Sequence, residues 1–224
     1  MSGSSKKQTR PTNIDATVAY HGDYGMEYEG PVRWLNYGAQ IRAVMQCTAK
    51  TMLEIGVGSG TVTSILRSRG IAVTTFDIDP ELKPDVLGSV HELDRHVAPK
   101  SFDLVLCSEV LEHLPFEIFA DCCSKLAAAA REYVLIGLPC FPRPRWGVTM
   151  QLRIPKIGTR KFTLGISPLP QWYVTGGGHC WTIDYKPYTA GVVYAEAEKS
   201  LKIEQVIPAP RDPSHLMLKC LPKE

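Results

Sequence analysis

Residues 53–60, Leu53-Glu54-Ile55-Gly56-Val57-Gly58-Ser59-Gly60, decide the fold. The apolar run over residues 51–57 predicts a buried strand, and residues 61–69 predict a helix that Gly70 closes. Glycines between a strand and a helix permit a tight turn and let the backbone approach a ligand closely. The stretch therefore predicts a ligand-binding loop at the end of a first strand.

Strands and helices alternate on both sides of this loop. The strands are apolar on both faces, which indicates a mostly parallel sheet covered by helices, with the ligand site at the carboxyl ends of the strands. After the fifth strand, two runs of alternating apolar and polar residues predict a β-hairpin. The predicted strands are 71–78, 85–90, 102–108 and 133–138, the hairpin strands 148–154 and 162–167, and the closing strands 202–207 and 215–221. The predicted helices are 115–131, 188–201 and one from 31 to an end between 46 and 50.

This pattern predicts four segments with different roles. They are a flexible leader or lid (1–30), a ligand-binding α/β core (31–140), a substrate-side hairpin and loop insertion (141–187), and the final helix with closing strands (188–224).

Composition excludes several classes of protein. The chain has 224 residues and a net charge of +2. This net charge neither supports nor excludes a nucleic-acid partner. No apolar run reaches the roughly 18–20 residues of a membrane span, and the polar start is unlike a secretory signal. The seven cysteines are interpreted as ordinary thiols in a reducing cytoplasm. The adjacent Cys122 and Cys123 would point about 100° apart on a helix, which suits no tetrahedral metal, and no metal site is predicted.

The type of ligand follows from the residues around the glycines. A dinucleotide loop needs a third glycine where this chain has Thr61, and it seldom has an acidic residue at the position of Glu54. Asp77 ends the second strand 21 residues after Gly56, where a carboxylate can accept hydrogen bonds from two ribose hydroxyls. Asp79, in the following turn, is a second candidate.

Residues 53–60, 76–80, 88–90 and 101–114 together resemble the ordered motifs of class I methyltransferases that use S-adenosylmethionine (SAM). They are most similar to small, mostly uncharacterised bacterial and archaeal members, and residues 33–34 and 181–186 resemble further segments of that group. The resemblance implies a Rossmann-like class I methyltransferase sheet with an antiparallel closing strand. It also implies SAM as methyl donor, S-adenosylhomocysteine as product, and no metal.

The resemblance also implies which residues contact SAM. Members of the group often carry Asp at the position of Ser89, so the contact to the adenine amino group would come from backbone or water here. Arg33 or Tyr28 would close over the SAM carboxylate, because a guanidinium suits that group. The remaining implied contacts are Glu54, Gly56 and Gly58 with the methionine part, Asp77 with ribose, Ile78, Ser89 and Val90 with adenine, and Ser108 and Glu109 with the methyl group.

The predicted catalytic residues are His113, His179 and Tyr185. Methyl transfer depends largely on proximity and alignment, and a general base helps when the acceptor is a hydroxyl. His113 follows the fourth strand, where a histidine is also a common structural residue. His179 follows three glycines, so it belongs either to a mobile loop over the site or to an exposed loop. His21 and Asp184 are further candidates.

Residues 133–183 contain no Asp or Glu and six Lys or Arg. Such a segment attracts anions, or it is a solvated hairpin face whose aromatic residues lie in the core; both interpretations stay open. The basic residues are Arg143, Arg145, Arg153, Lys156, Arg160 and Lys161, and the interleaved aromatic residues are Trp146, Trp172, Tyr173 and Trp181.

Three functions are compatible with this sequence. The favoured one is methylation of a small molecule, anionic if the basic segment binds it, with the hairpin as a lid. The second is methylation of RNA or protein that docks on residues 143–161. The third is SAM binding without turnover, since fold alone does not establish function. A nicotinamide enzyme is disfavoured by the failed glycine spacing, and the choice between monomer and dimer stays open.

Overall fold

The computed structural model describes residues 29–140, 146–156, 158–166, 178–208 and 214–223. The helices are α1 (Pro31–Met45), α2 (Thr61–Ser68), α3 (Leu93–His96), α4 (Phe119–Ala129) and α5 (Ala190–Ala197). The strands are β1 (Thr51–Ile55), β2 (Ala72–Asp77), β3 (Val86–Leu87), β4 (Phe102–Ser108), β5 (Ala130–Pro139), β6 (Trp146–Ile154), β7 (Gly158–Ile166), β8 (Leu201–Pro208) and β9 (His215–Pro222).

One seven-stranded sheet contains most of these strands, in the order β3-β2-β1-β4-β5-β9-β8. Strands β1 to β5 pair in parallel with one another, whereas β9 runs antiparallel to both β5 and β8. The predicted mostly parallel sheet with an antiparallel closing strand is confirmed.

Side chains from both faces of the sheet are buried, which explains the continuous apolar runs in the sequence. Leu104 and Leu106 of β4 belong to one core cluster, together with residues of α1 and α2. Val105 and Cys107, which alternate with them, belong to a second cluster with residues of α4 and α5. Helices therefore cover the sheet on both sides, and the strand edges at the carboxyl ends are left for a site.

The topological switch point of the sheet lies between β1 and β4. Ile55, the last residue of β1, pairs with Phe76 of β2 on one side and with Cys107 of β4 on the other. The connection after β1 leads through α2 to β2, and the connection after β4 leads through α4 to β5 in the opposite direction. Ligands of open α/β sheets bind in the crevice that such a divergence opens.

Several predicted element bounds were wrong. The third strand is only Val86–Leu87, and residues 90–92 form a 3₁₀ turn before α3, a helix that periodicity did not predict. Helix α4 begins at Phe119 because a 3₁₀ turn over residues 116–118 follows Pro115, and it ends where β5 begins at Ala130. Helix α5 spans only residues 190–197, and the Thr189 side chain accepts a hydrogen bond from Val192 N at its start.

Strands β6 and β7 form the predicted hairpin as a separate two-stranded sheet, with Met150 opposite Phe162 and Val148 opposite Leu164. Across the described ranges, every helix is too short or too polar to cross a membrane. The segment bounds at residues 30, 140 and 187 remain predictions.

Candidate active site

The glycine loop after β1 adopts backbone angles that favour glycine. Gly56, Gly58 and Gly60 have φ values of 82°, 54° and 73°. The backbone N–H of Gly56 donates to Phe76 O at 3.0 Å, which ties the loop to β2. A Cβ atom at Gly56 would lie 2.3 Å from Cγ2 of Val110. The loop therefore packs directly against the segment that follows β4.

Asp77 organises the end of β2 and the glycine loop together. One carboxylate oxygen accepts a hydrogen bond from Val57 N at 2.7 Å, and the other accepts one from Asp79 N at 2.9 Å. The residue is 8% exposed. An ionised carboxylate has about four lone-pair sites, so these two bonds leave capacity for ribose hydroxyls. Asp79, the second ribose candidate, caps the next turn by accepting a hydrogen bond from Glu81 N.

Glu54 is buried in β1 and is hydrogen-bonded to α2. The Thr63 hydroxyl donates to its Oε2 atom, and the residue is only 3% exposed. Burial raises the pKa of Glu54 to about 7, partly opposed by the Thr63 hydrogen bond and the charge of Arg67. The side chain therefore joins the glycine loop to the helix that follows it, and near neutral pH it gains or loses a proton readily.

The predicted adenine residues lie together beyond β2 and β3. Ile78 is half-buried, whereas Ser89 and Val90 are buried. Ser89 Oγ lies 2.7 Å from Nδ1 of His91, and Gly88 N donates to Asp77 O at 2.9 Å. The turn that carries Ser89 and Val90 is thus bonded to the strand end that carries Asp77.

Helix α1 reaches the glycine loop through Tyr37. The Tyr37 hydroxyl lies 3.1 Å from Ser59 Oγ and 3.2 Å from the Glu29 carboxylate. Burial raises the pKa of this phenol. Arg33 lies one turn earlier on α1, half-buried, and its positive charge acts on the pKa of Glu112 and His113. Arg33 therefore lies near the carboxyl end of β4; its alternative, Tyr28, lies outside the described residues.

The end of β4 carries Ser108 and Glu109, the two residues predicted to border the methyl group. Glu109 has a φ of 58°, and its N–H donates to Gly137 O at 3.1 Å. Its Oε2 atom lies 3.1 Å from Nε2 of His215. Within the described part of the chain, Ser108 Oγ and Glu109 Oε1 are buried without a hydrogen-bond partner.

Glu112, His113 and His179 form a compact group beside Glu109. Glu112 Oε1 lies 3.9 Å from His113 Nε2, and the two imidazole centroids are 4.9 Å apart with the rings at 81°. Burial, with the nearby charge of Glu109, raises the pKa of Glu112 well above its ordinary value. Burial also lowers the pKa of both imidazoles, so they are neutral at neutral pH.

Hydrogen bonds between two distant segments hold this group together. Cys180 N donates to Glu112 O at 2.6 Å, and Trp181 Nε1 donates to Leu114 O at 3.1 Å. Trp181 is fully buried and contacts the rings of Phe116, Phe119 and Tyr188. These hydrogen bonds, with the one between His113 and Gly178 O, fix the position of His179; Gly176 and Gly177 lie outside the described residues.

Comparison with known protein families matches residues 53–131 to the methyltransferase domain family. This range runs from the glycine loop through Glu112 and His113 to the end of α4. Residues 53–131 thus match a methyltransferase domain, over about a third of the chain. Curated relatives include the ubiquinone biosynthesis O-methyltransferase of Pseudomonas paraeruginosa, which is 29% identical over 99 residues, 38% of this chain and 39% of that protein. The matched region thus spans about two fifths of that relative.

Solved structures resemble the methyltransferase domain over most of its length. The N-methyltransferase NodS from Bradyrhizobium japonicum, in complex with S-adenosylhomocysteine, has a TM-score of 0.57 at 14% identity, covering 91% of this chain and 94% of that one. The 1,6-didemethyltoxoflavin-N1-methyltransferase from Burkholderia thailandensis has a TM-score of 0.51 at 16% identity, covering 84% and 77%. At these identities the likeness confirms the fold.

Tyr185, predicted to be catalytic, and Asp184, a further candidate, share the turn that follows Ile183. Tyr185 lies half-buried in a turn, where it forms an isolated β-bridge with Tyr188, and Asp184 in the same turn has a φ of 70°. His21 lies outside the described residues. The role of Tyr185 remains a prediction.

The hairpin carries both cationic and apolar side chains at its surface. Arg153, Lys156 and Arg160 are exposed, as are Val148, Met150, Leu152, Ile154, Phe162 and Leu164. Trp181 belongs to the core, which confirms the core interpretation for that aromatic residue alone. The structure does not describe the side chains of Arg143, Arg145, Trp146, Lys161, Trp172 and Tyr173.

Sequence reasoning missed several residues of the candidate site. Glu112 is adjacent to the predicted His113, but the sequence does not indicate that its carboxylate is buried, because the burial depends on the 3₁₀ turn over residues 111–113. His215 lies in β9 with no local motif around it. Tyr37 and Thr63 are polar residues on helix faces, and only their partners in the glycine loop and β1 mark them.

Proposed function

We propose that this chain is a SAM-dependent methyltransferase that transfers a methyl group to a small molecule and releases S-adenosylhomocysteine. The observation that carries the proposal is the close approach of Gly56 to Val110, which brings the glycine loop and the Glu109–His113 segment to the same switch point. A methyl donor on the loop would therefore lie beside the polar group after β4.

The residues around the loop fit SAM. Gly56 and Gly58 have positive φ values in a loop before a helix, where the backbone can approach a ligand closely, and Asp77 has acceptor capacity left for ribose hydroxyls. The carboxyl group of Glu54, when ionised, would attract the ammonium group of the methionine part of SAM. The adenine of SAM would contact Ile78, Ser89 and Val90. Its methyl group would lie near Ser108 and Glu109, and its carboxylate near Arg33.

SAM, when bound, supplies an electrophilic methyl group, and the protein supplies alignment and proton acceptance. The pKa values of His113 and His179 are lowered by burial, so both rings are neutral and can accept a proton. His113 Nδ1 lies 3.2 Å from Gly178 O, and the bond donated to that carbonyl leaves Nε2 as the acceptor. A hydroxyl acceptor placed beside Nε2 would lose its proton there. Tyr185 remains a third candidate.

A small-molecule acceptor is supported by the names of the relatives, which act in ubiquinone biosynthesis or on 1,6-didemethyltoxoflavin. An anionic acceptor is proposed on the exposed Arg153, Lys156 and Arg160 of the hairpin. The cytoplasmic location remains a proposal based on the seven cysteines, which are all free thiols.

Calorimetric titration with SAM, S-adenosylhomocysteine and NADH tests the proposal. We expect SAM and S-adenosylhomocysteine to bind and NADH not to bind. When candidate hydroxylated metabolites are supplied with SAM, we expect release of S-adenosylhomocysteine. NADH binding without SAM binding would overturn it, and SAM binding without turnover on any acceptor would favour a binding module.

A second candidate, methylation of RNA or protein, is favoured by the exposed cations of the hairpin and by the acid-free sequence around them. RNA retention that falls steeply with salt would support it, because phosphate contacts release counterions. Retention that is absent at low salt would exclude RNA and favour the small-molecule acceptor.

A further inference from the structure

The Glu112 group has the composition of a metal site. Glu112, His113 and His179 each offer one ligand atom, and these atoms all lie within 4.8 Å of one another. Ligand atoms that share one ion lie about 3–3.5 Å apart, given metal–ligand distances near 2.1 Å. Small side-chain rotations would bring the three atoms to that spacing.

Glu112 supplies an independent observation. Its side chain is 0% exposed, and neither carboxylate oxygen has a hydrogen-bond partner among the described residues. A buried carboxylate without a partner is costly unless it is protonated or paired with a cation. Glu109 Oε1, beside it, is buried in the same condition. The charge of Arg33 also acts on Glu112, and a cation bound between these two carboxylates would stabilise both.

The histidines are oriented as metal ligands usually are. The Nδ1 atom of His113 is hydrogen-bonded to Gly178 O, so the Nε2 lone pair faces Glu112. Metal-bound histidines typically donate their second N–H to a carbonyl or carboxylate in this way. The carboxylate of Glu109 is also held by a neighbour, because its Oε2 atom lies 3.1 Å from Nε2 of His215. The Cys180 and Trp181 hydrogen bonds hold both histidine segments in place before any ion binds.

We propose that Glu112, His113 and His179 bind one divalent transition-metal ion, with Glu109 as the adjacent carboxylate ligand. Two imidazoles with carboxylates suit Zn²⁺, Co²⁺, Fe²⁺ or Mn²⁺ better than Mg²⁺, which prefers oxygen ligands and retains its waters. The sequence predicted no metal, from the spacing of the cysteines and from the methyltransferase resemblance; this site contains no cysteine ligand, and the metal is proposed from the residues around Glu112.

The site gives the ion a role at the acceptor, and this role rests on the proposed methyltransferase function. The group follows β4 directly, where Val110 contacts the glycine loop. An ion there would hold an acceptor oxygen beside the methyl donor and lower the pKa of an acceptor hydroxyl. A ligating imidazole has no free lone pair, so the ion would replace His113 and His179 as the activating group. The acceptors expected are molecules with a hydroxyl or a pair of neighbouring oxygens.

Titration of the chelator-treated full chain with CoCl₂, ZnCl₂ and MgCl₂, without SAM, tests the site. We expect one Co²⁺ or Zn²⁺ per chain and much weaker Mg²⁺ binding. Glu112→Gln and His179→Ala should each weaken Co²⁺ binding by at least about tenfold, the effect of losing even an outer partner of a metal ligand. His96→Ala, a change at an exposed histidine outside the group, should leave it unchanged.

Absence of Co²⁺ and Zn²⁺ binding would overturn the inference, as would equal affinity in the wild type and both variants. Intense near-ultraviolet thiolate bands in the Co²⁺ spectrum would also overturn it, because they place the ion on cysteines. If Glu112→Gln does not fold, His179→Ala carries the test alone. SAM titration of the metal-free chain tests the proposed function separately: SAM binding without Co²⁺ binding refutes only the metal site, and the reverse refutes only the cofactor assignment.

Discussion

Two pairs of carboxylates lie at the same edge of the sheet, and the fold satisfies only one of them. Glu54 and Asp77, around the glycine loop, accept hydrogen bonds from Thr63, Val57 and Asp79. Among the described residues, neither oxygen of Glu112 and only one oxygen of Glu109 has such a partner. We call the first the donor pair, because it is proposed to lie at the methyl donor, and the second the acceptor pair, because it is proposed to lie at the methyl acceptor.

The difference indicates what each half of the site requires. The donor pair completes the loop with the chain's own N–H and O–H groups, so the cofactor cradle is largely formed before SAM binds. Among the described residues, the acceptor pair has fewer hydrogen-bond donors, so a proton or a bound cation would stabilise it beyond the charge of Arg33. Preformed binding of the donor and conditional binding of the acceptor follow from this contrast.

The contact that joins the two halves gives the largest expected effect. Gly56→Ala would put a methyl group 2.3 Å from Val110 Cγ2 at a φ of 82°. The left-handed backbone costs about 1–2 kcal/mol and the overpacking about 1–3 kcal/mol, so urea unfolding should show a loss of roughly 2–5 kcal/mol. Gly70→Ala is the matched control, because Gly70 has a φ of 86° with open space around it. Equal losses in both variants would contradict the proposed contact.

The donor pair is also predicted to make stability pH-dependent through Glu54. Its folded pKa of about 7 lies above the ordinary 4.5, so between these values the folded chain holds a proton that the unfolded chain lacks. This contribution is complete below pH 4.5 and is lost as the pH rises through 7, a change on the order of 3 kcal/mol.

Urea unfolding of the wild type and Glu54→Gln from pH 5 to pH 8 measures this effect. The stability of the wild type relative to the variant should fall as the pH rises. Glu117→Gln, at an exposed carboxylate, should show no such trend. A difference between wild type and Glu54→Gln that is constant with pH would contradict the assignment.

Replacing one carboxylate of each pair should change stability in opposite directions, by a smaller amount. Asp77→Ala leaves Val57 N and Asp79 N without their partner and should destabilise the fold by about 1–3 kcal/mol. Glu112→Met replaces a buried group that has no hydrogen bond in the described structure, and it should stabilise the metal-free chain by about 1–2 kcal/mol. Thermal unfolding in the presence of chelator measures the stability change of each variant. A loss of stability in Glu112→Met would contradict the distinction between the two pairs of carboxylates.

The sequence predicted the donor half better than the acceptor half because its determinants are local. Strand β4 has the predicted bounds, Phe102–Ser108, and the glycine loop lies between β1 and α2 as expected. The spacing of Asp77 from Gly56 reflects one β-α-β unit, so strand pairing places it beside the loop. The engagement of Glu54 by Thr63, by contrast, was not predicted from the same segment.

The acceptor half could not be assembled from local patterns. His113 and His179 meet because the backbone and side chains of residues 178–181 bond to residues 112–114, and no periodicity encodes that pairing. His215 reaches Glu109 from β9, the antiparallel strand beside β5. The burial of Glu112 depends on the 3₁₀ turn over residues 111–113, which a propensity argument does not resolve.

Calorimetric titration of SAM into wild type, Asp77→Ala and Glu112→Gln tests the division between donor and acceptor halves most directly. We predict that Asp77→Ala weakens SAM binding by roughly 1–3 kcal/mol, because it loses charge-assisted contacts to ribose, whereas Glu112→Gln changes affinity by less than about 0.5 kcal/mol. Two results would contradict this division. One is a SAM affinity of Asp77→Ala equal to that of the wild type, and the other is a loss of SAM affinity in Glu112→Gln as large as in Asp77→Ala.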